Sequence, residues 1–362
     1  MCYNNTNNYS SFENFINSLD NHNELKKYIY SNRSTSSDFE KNVFINQLKD
    51  AFCQYAEDKN DKNKKWFEDR LEYIKNFNDI QNDDKARNYI SIIGELQVYG
   101  LLMHSLFGFG LEHRKEEKNI NTPDFIYIDD YNNKVNVEIA TLLGTNKKEK
   151  LITNYTDRYM GIHPFSKPQK ADENDLRGLI SMLNNIKQKD EQFNKKYINI
   201  LFINLVSPIY KNLSFNFFEE RYKPYYIIKC PYNTIYSGWL WQAFYSKKND
   251  NIFHSIGVMD NIDQEVYKMP YNSRFNKSPD EKYSIADFAI INTYETTDIY
   301  QNLNRKQKIH KNIYRCLMSL NNIKLDSLWI NFPINNLDKR VNYHRRLGKA
   351  YLREAKKDRF YV

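Results

Sequence analysis

Two acidic residues stand at a spacing that suits metal-dependent hydrolysis. Asp124 lies in Thr122-Pro123-Asp124-Phe125, at the start of one β candidate. Glu138 lies inside the next, in Val135-Asn136-Val137-Glu138-Ile139-Ala140. Strand alternation puts Val135, Val137 and Ile139 on one face, and Asn136, Glu138 and Ala140 on the other. The turn residues Asp129-Asp130-Tyr131-Asn132-Asn133 are short enough for a hairpin, so Glu138 meets Asp124 across the pair. Taken singly, Glu138 also reads as a surface-strand residue, and Pro123-Asp124 as a turn. Together they match what phosphodiester hydrolysis asks of a protein. A divalent cation polarises the phosphate and lowers the pKa of the attacking water, and Mg²⁺ takes only one or two carboxylates besides water and phosphate oxygens.

The surrounding pattern supplies elements to hold such a pair. A helix is expected over about 84–106, with Ile92, Ile93, Leu96, Tyr99 and Met103 as its apolar stripe. Glu95 borders that stripe, where a carboxylate costs free energy unless it reaches water, is paired or binds a metal. Three short strands follow, near 110–114, 125–128 and 134–142. A polar loop with Pro164 and Pro168 leads into a helix over about 172–192. The run Ile198-Asn199-Ile200-Leu201-Phe202-Ile203-Asn204-Leu205-Val206 reads as a strand covered on both faces. The order is helix, three strands, helix, strand.

A helix bearing Glu95, then Pro123-Asp124, then Glu138 on the following strand, then helix and strand, resembles the PD-(D/E)xK superfamily of restriction-endonuclease-like nucleases. The resemblance spans roughly residues 84–206, and the order of elements carries it more than the letters. It implies an α/β fold with an αβββαβ core, a central mixed sheet flanked by helices. It also implies Mg²⁺ dependence, with Mn²⁺ as a substitute, and products with 5′-phosphate and 3′-hydroxyl ends. Asp124 and Glu138 become the metal ligands, with Glu95 assisting through water or a second metal. The implied partner is double-stranded DNA, and a homodimer that cuts both strands fits the pattern. A type II restriction enzyme or another host-defence nuclease is the expected class.

One position departs from the pattern. The superfamily's lysine belongs two residues after the acid, where this chain has Ala140. Some branches carry it on the next helix, and Lys187 lies on the stripe of Leu176, Leu179, Ile180, Leu183 and Ile186. Its stem equally suits covering apolar surface while its head reaches water. The alternative to a nuclease is therefore a protein of the same fold that binds nucleic acid without cutting it. A sugar transferase using Asp129 and Asp130 is a third reading, although a turn role explains those two residues more simply.

Composition narrows the rest. The chain has 362 residues, 41% hydrophobic and 15% aromatic, so it has material for a large core; with only 10 Gly and 9 Pro it is no repeat or linker-rich protein. No apolar run approaches the roughly 20 residues of a membrane-spanning helix. The start, Met1-Cys2-Tyr3-Asn4-Asn5, lacks the features of a secretory signal, and four scattered cysteines form no metal-binding or disulfide pattern. A cytoplasmic protein with no membrane partner is expected. The formal charge is +8, and the segment from Lys339 to Arg359 holds nine Lys or Arg against two acids, a net +7. Lys339, Arg340, Arg345, Arg346, Lys349 and Arg353, interleaved with Tyr343 and Tyr351, suit a phosphate backbone. They also suit a solvated basic helix end. Three regions are expected: helices over 1–83, the core over 84–206, and an α+β extension with its basic tail over 207–362.

Overall fold

Apolar residues three and four apart drive the N-terminal helices into one another. In the computed structural model, α1 (Thr6–Ser18) buries Phe12 and Ile16, and α2 (Glu24–Arg33) buries Leu25, Tyr28 and Ile29. The structure describes residues 6–33, 42–77, 83–114, 122–141, 193–206 apart from 195, 221–222, 235–236, 251–256, 263–268, 285–292, 297–302, 309–320 and 323–324. The expected helix over 172–192 and the basic tail lie outside these residues.

Helix α3 (Val43–Glu57) starts at Asn42, whose side chain accepts from the Ile45 N–H, a standard N-cap. The charged run 57–65 reads as a loop from composition, but only Asp58–Asn60 connect the helices. Asn60 caps α4 (Asp61–Asn76) by accepting from the N–H groups of Lys62 and Asn63, which starts the helix within that charged run. The buried residue there is polar: Asn63 donates to Leu111 O at 3.0 Å and accepts from His113 N at 2.7 Å, docking α4 onto a strand edge.

Helix α5 (Asp83–His104) is the long apolar helix expected near 84–106. It lies between α3 and the sheet, and two glycines permit the close fit. A Cβ on Gly100 would come within 2.8 Å of Ala51 backbone atoms in α3, and one on Gly94 would collide with the Thr141 side chain on the sheet.

After a short 3-10 turn (Leu106–Phe109), the strands are β1 (Leu111–His113), β2 (Phe125–Ile128), β3 (Lys134–Thr141) and β4 (Ile198–Asn204). Strand β4 is buried at every residue, as a strand covered on both faces must be. The short β5 (Arg221–Tyr222) and β6 (Ile235–Tyr236) pair with each other, as do β7 (Asn251–Ile256) and β8 (Asp263–Lys268). Then β9 (Phe288–Asn292), β10 (Thr297–Gln301) and β11 (Ile323–Lys324) rejoin the main sheet, with α6 (Lys311–Met318) before β11.

The main sheet has seven strands in the order β1-β2-β3-β4-β9-β10-β11. Its first three strands form an antiparallel meander, β3, β4 and β9 run parallel, and β10 returns antiparallel. Residue 206, the end of the expected core, falls between β4 and β9, two strands that hydrogen-bond to each other. Apolar residues from Phe12 to Leu320 join in one core cluster that includes Val135, Val137, Ile139, Ile200, Phe202, Phe288 and Ile290. None of the described helices is long and apolar enough to cross a membrane.

Candidate active site

The hairpin of β2 and β3 forms because its turn residues close it. Asp129 accepts from the N–H groups of Tyr131 and Asn133 and from the Asn133 side chain at 2.8–2.9 Å, while Asn132 takes φ 60°. Burial would raise the Asp129 carboxyl, but these hydrogen bonds outweigh it and hold the group below its ordinary value. Asp129 therefore has a structural task in the turn.

The register fixes the acidic pair. Phe125 stands opposite Val137, and continuing by one residue sets Asp124 opposite Glu138. Val135, Val137 and Ile139 belong to the core cluster beneath α5, so Glu138 projects from the other face, as alternation requires. It is 0% exposed, which removes the surface-strand reading. Asp124 is half-buried just outside the ladder. Its Oδ2 accepts from Ile139 N at 2.7 Å, so the carboxylate caps the end of the β2–β3 ladder beside Glu138. Its main-chain oxygen accepts from Arg114 N at 3.0 Å and lies 2.9 Å from His113 Nδ1, which must then carry the proton.

Two observations bear on whether a cation suits this corner. Carboxylates placed opposite each other on a strand pair repel, and a divalent ion with oxygen preference is a direct way to hold both. Moreover, Thr122 Oγ1, two residues before Asp124, is buried with no hydrogen-bond partner, an unmet need that water or a ligand oxygen would satisfy. The donor set thus fits Mg²⁺ chemistry. Among the described residues, however, no three His, Cys, Asp or Glu side chains gather into a metal-binding group.

Glu95 is engaged elsewhere. Its Oε2 accepts from Arg70 Nε at 2.9 Å, and its Oε1 lies 3.4 Å from Ser91 Oγ. The carboxylate approaches from the α5 side of the sheet, whereas Glu138 projects from the other face. Ala140 is buried on that face, two residues beyond Glu138. Lys187 lies outside the described residues, as do Lys339, Arg340, Arg345, Arg346, Lys349 and Arg353.

Sequence reasoning missed Arg70, Trp66 and His113. Arg70 Cζ lies 5.5 Å from the centre of the Trp66 ring, which packs on Phe125 (4.9 Å) and His113 (5.6 Å). The available signal was the spacing: Trp66 and Arg70 are four apart on a helix, where side chains meet. No protein-family model, curated protein or solved structure matches this chain.

Proposed function

We propose that the chain is a Mg²⁺-dependent endonuclease acting on double-stranded DNA, of the restriction or host-defence type, built on a PD-(D/E)xK core. The observation that carries this reading is the pairing of Asp124 with the fully buried Glu138 at the open end of the β2–β3 hairpin. The element order α5, β1, β2, β3, β4 supports it. Asp124 and Glu138 hold the ion, which when bound supplies an activated water and offsets charge on the phosphate. The Ile139 N–H fixes the Asp124 carboxylate, while His113 and Arg114 fix its main chain, so the pair is oriented before substrate arrives. The basic segment beginning at Lys339 contacts phosphates, Lys187 is a candidate for orienting the nucleophile, and a homodimer would cut both strands.

The test is cleavage of plasmid and genomic DNA by purified protein with Mg²⁺ or Mn²⁺, beside Asp124→Ala and Lys187→Ala. Discrete fragments that vanish with Asp124→Ala are the expected result. Binding without cleavage under any metal, unchanged in Asp124→Ala, replaces this reading with a non-cutting DNA-binding protein. The buried Ala140, which stands where the superfamily's lysine belongs, is the observation that favours that second reading.

A further inference from the structure

We propose that α6 and the hairpin turn beside it form a DNA-binding surface, on which Lys311, Arg315, His310 and Tyr131 hold backbone phosphates of a duplex. The inference rests on the DNA partner of the reading above and gives that partner a place; it does not need the protein to cut. Charge along the chain points there first. Residues 299–325 contain no Asp or Glu and six cations, Arg305, Lys306, Lys308, Lys311, Arg315 and Lys324, a net +6. Together with the +7 of the segment from Lys339 to Arg359, that exceeds the formal charge of +8, so the remainder of the chain is net acidic at −5. Positive charge gathered into stretches against an acidic background is the footprint of a phosphate-binding protein.

The fold sets part of that charge on one helix face. Helix α6 buries Ile313, Cys316 and Leu317, and Cys316 Sγ donates to the Tyr127 hydroxyl at 3.4 Å. Tyr127 stands opposite Val135, so α6 packs on the α5 side of the sheet, apart from the face of Glu138. Lys311, Arg315 and Met318, four and then three residues apart, share the outward, exposed face. Like charges four apart on a helix repel. Among the described residues neither Lys311 nor Arg315 forms an ion pair, and an anion lying between them relieves the repulsion.

The neighbouring turn adds donors. Tyr131 is 66% exposed, and its ring lies 5.0 Å from that of His310, the N-cap of α6. The contact brings a phenol to the helix end that carries Lys311, and tyrosine hydroxyls are common donors to phosphate. His310 Nδ1 accepts from Asn312 N–H at 3.4 Å, which leaves the neutral ring's proton on Nε2, a further donor. Ammonium, guanidinium, phenol and imidazole N–H all suit phosphate oxygens. Contacts of that kind fix affinity and orientation and read no base. The turn also carries opposing charge: Asp129 is engaged by the turn's own hydrogen bonds, whereas Asp130 is exposed. Asp130 therefore weakens the surface that its neighbours build.

The experiment measures the affinity of the full chain for a synthetic DNA duplex against salt concentration, with Ca²⁺ in place of Mg²⁺. Each lost phosphate contact lowers the salt slope by about 0.9, so Lys311→Ala with Arg315→Ala should lower it by roughly 1.8. The charge-keeping exchange, Lys311→Arg with Arg315→Lys, should retain the slope. Tyr131→Phe should loosen binding with the slope intact, and Asp130→Asn should tighten it. An unchanged slope in the folded double-alanine variant overturns the assignment, as does an exchange variant that loses as much as alanine. If the slope falls only when Arg345→Ala and Arg346→Ala are made, α6 is not the surface and the DNA reading stands. Binding by wild type without cleavage leaves the α6 slope to decide. Failure of wild type to bind any DNA overturns both readings.

Discussion

Two buried polar clusters flank the same sheet and are built on opposite principles. At the C-terminal ends of β4 and β9, beneath α5, neutral amides close on one another. Asn204 donates to Gln97 at 2.8 Å, Asn292 donates to Asn204 and to Gln47 at 2.9 Å, and Gln97 donates to Phe44 O at 3.0 Å. Each side chain is answered by another, which makes the cluster a latch between α3, α5 and the sheet. The corner at Asp124 and Glu138 instead sets two carboxylates opposite each other, near the orphaned hydroxyl of Thr122. A closed network specifies packing; the second corner is the one that the proposed function fills with a cation.

The largest expected effect that would sharpen this contrast is at the open corner. Asp124→Ala or Glu138→Ala should lower Mg²⁺-dependent cleavage by about 10³-fold or more, given that a metal contributes several kcal/mol at 1.36 kcal/mol per tenfold. If the folded Asp124→Ala protein cut DNA at the wild-type rate, the two corners would not differ in kind. The closed network should show the reverse. Asn204→Ala strands partners on Gln97 and Asn292, and each unmet buried group costs about 1–3 kcal/mol. Denaturant unfolding should therefore reveal a loss of roughly 2–5 kcal/mol, with the metal dependence of cleavage unaltered.

A smaller effect tests the seam between them. Gly94→Ala drives a methyl into Thr141, which should cost about 1–3 kcal/mol as overpacking does. Trimming Thr141 to Ala in the same chain should recover most of it. If the pair of changes were additive, α5 would not be seated on β3 at that point. The smallest effect belongs to the turn. Asp129→Ala should cost about 1–2 kcal/mol through its lost hydrogen bonds and leave any activity in place, against a transferase role for Asp129. Because the fold holds the Asp129 carboxyl below its ordinary value, its contribution is present above about pH 3.9. Below that the unfolded chain binds more protons, so the contribution fades as the pH falls toward the lower, folded value. Thermal unfolding across that range should show this fading in wild type and its absence in Asp129→Ala. Tyr55 gives the opposite sign. Burial, then its hydrogen bond to Glu68, pushes it up to about 12, so its contribution fades as the pH rises from about 10 toward that value.

Much of this was readable in the chain because local pattern and tertiary role agreed. The apolar stripe of α5 and the alternation of Val135, Val137 and Ile139 against Glu138 follow from periodicities of 3.6 and 2. The turn at Asp129 follows from side chains that bond their own backbone. The charged run 57–65 misled because charge suggests solvent, whereas Asn60 is an N-cap and Asp58 and Asn63 turn inward. Asp58 is buried because Tyr99 and Asn63 both donate to it, at 2.8 and 2.9 Å, and Tyr99 lies in another helix. Arg70 was invisible for the same reason: its carboxylate partner lies in another helix.

By itself the sequence determined the strand faces, the hairpin turn and the opposition of Asp124 to Glu138, because each depends on residues close along the chain. Only the tertiary structure decided that Glu138 is wholly buried, that Glu95 belongs to Arg70, and that β9–β11 extend the sheet beyond β4. Those outcomes rest on which distant elements meet. Desolvation and ion pairing are properties of that meeting, and no local spacing encodes them.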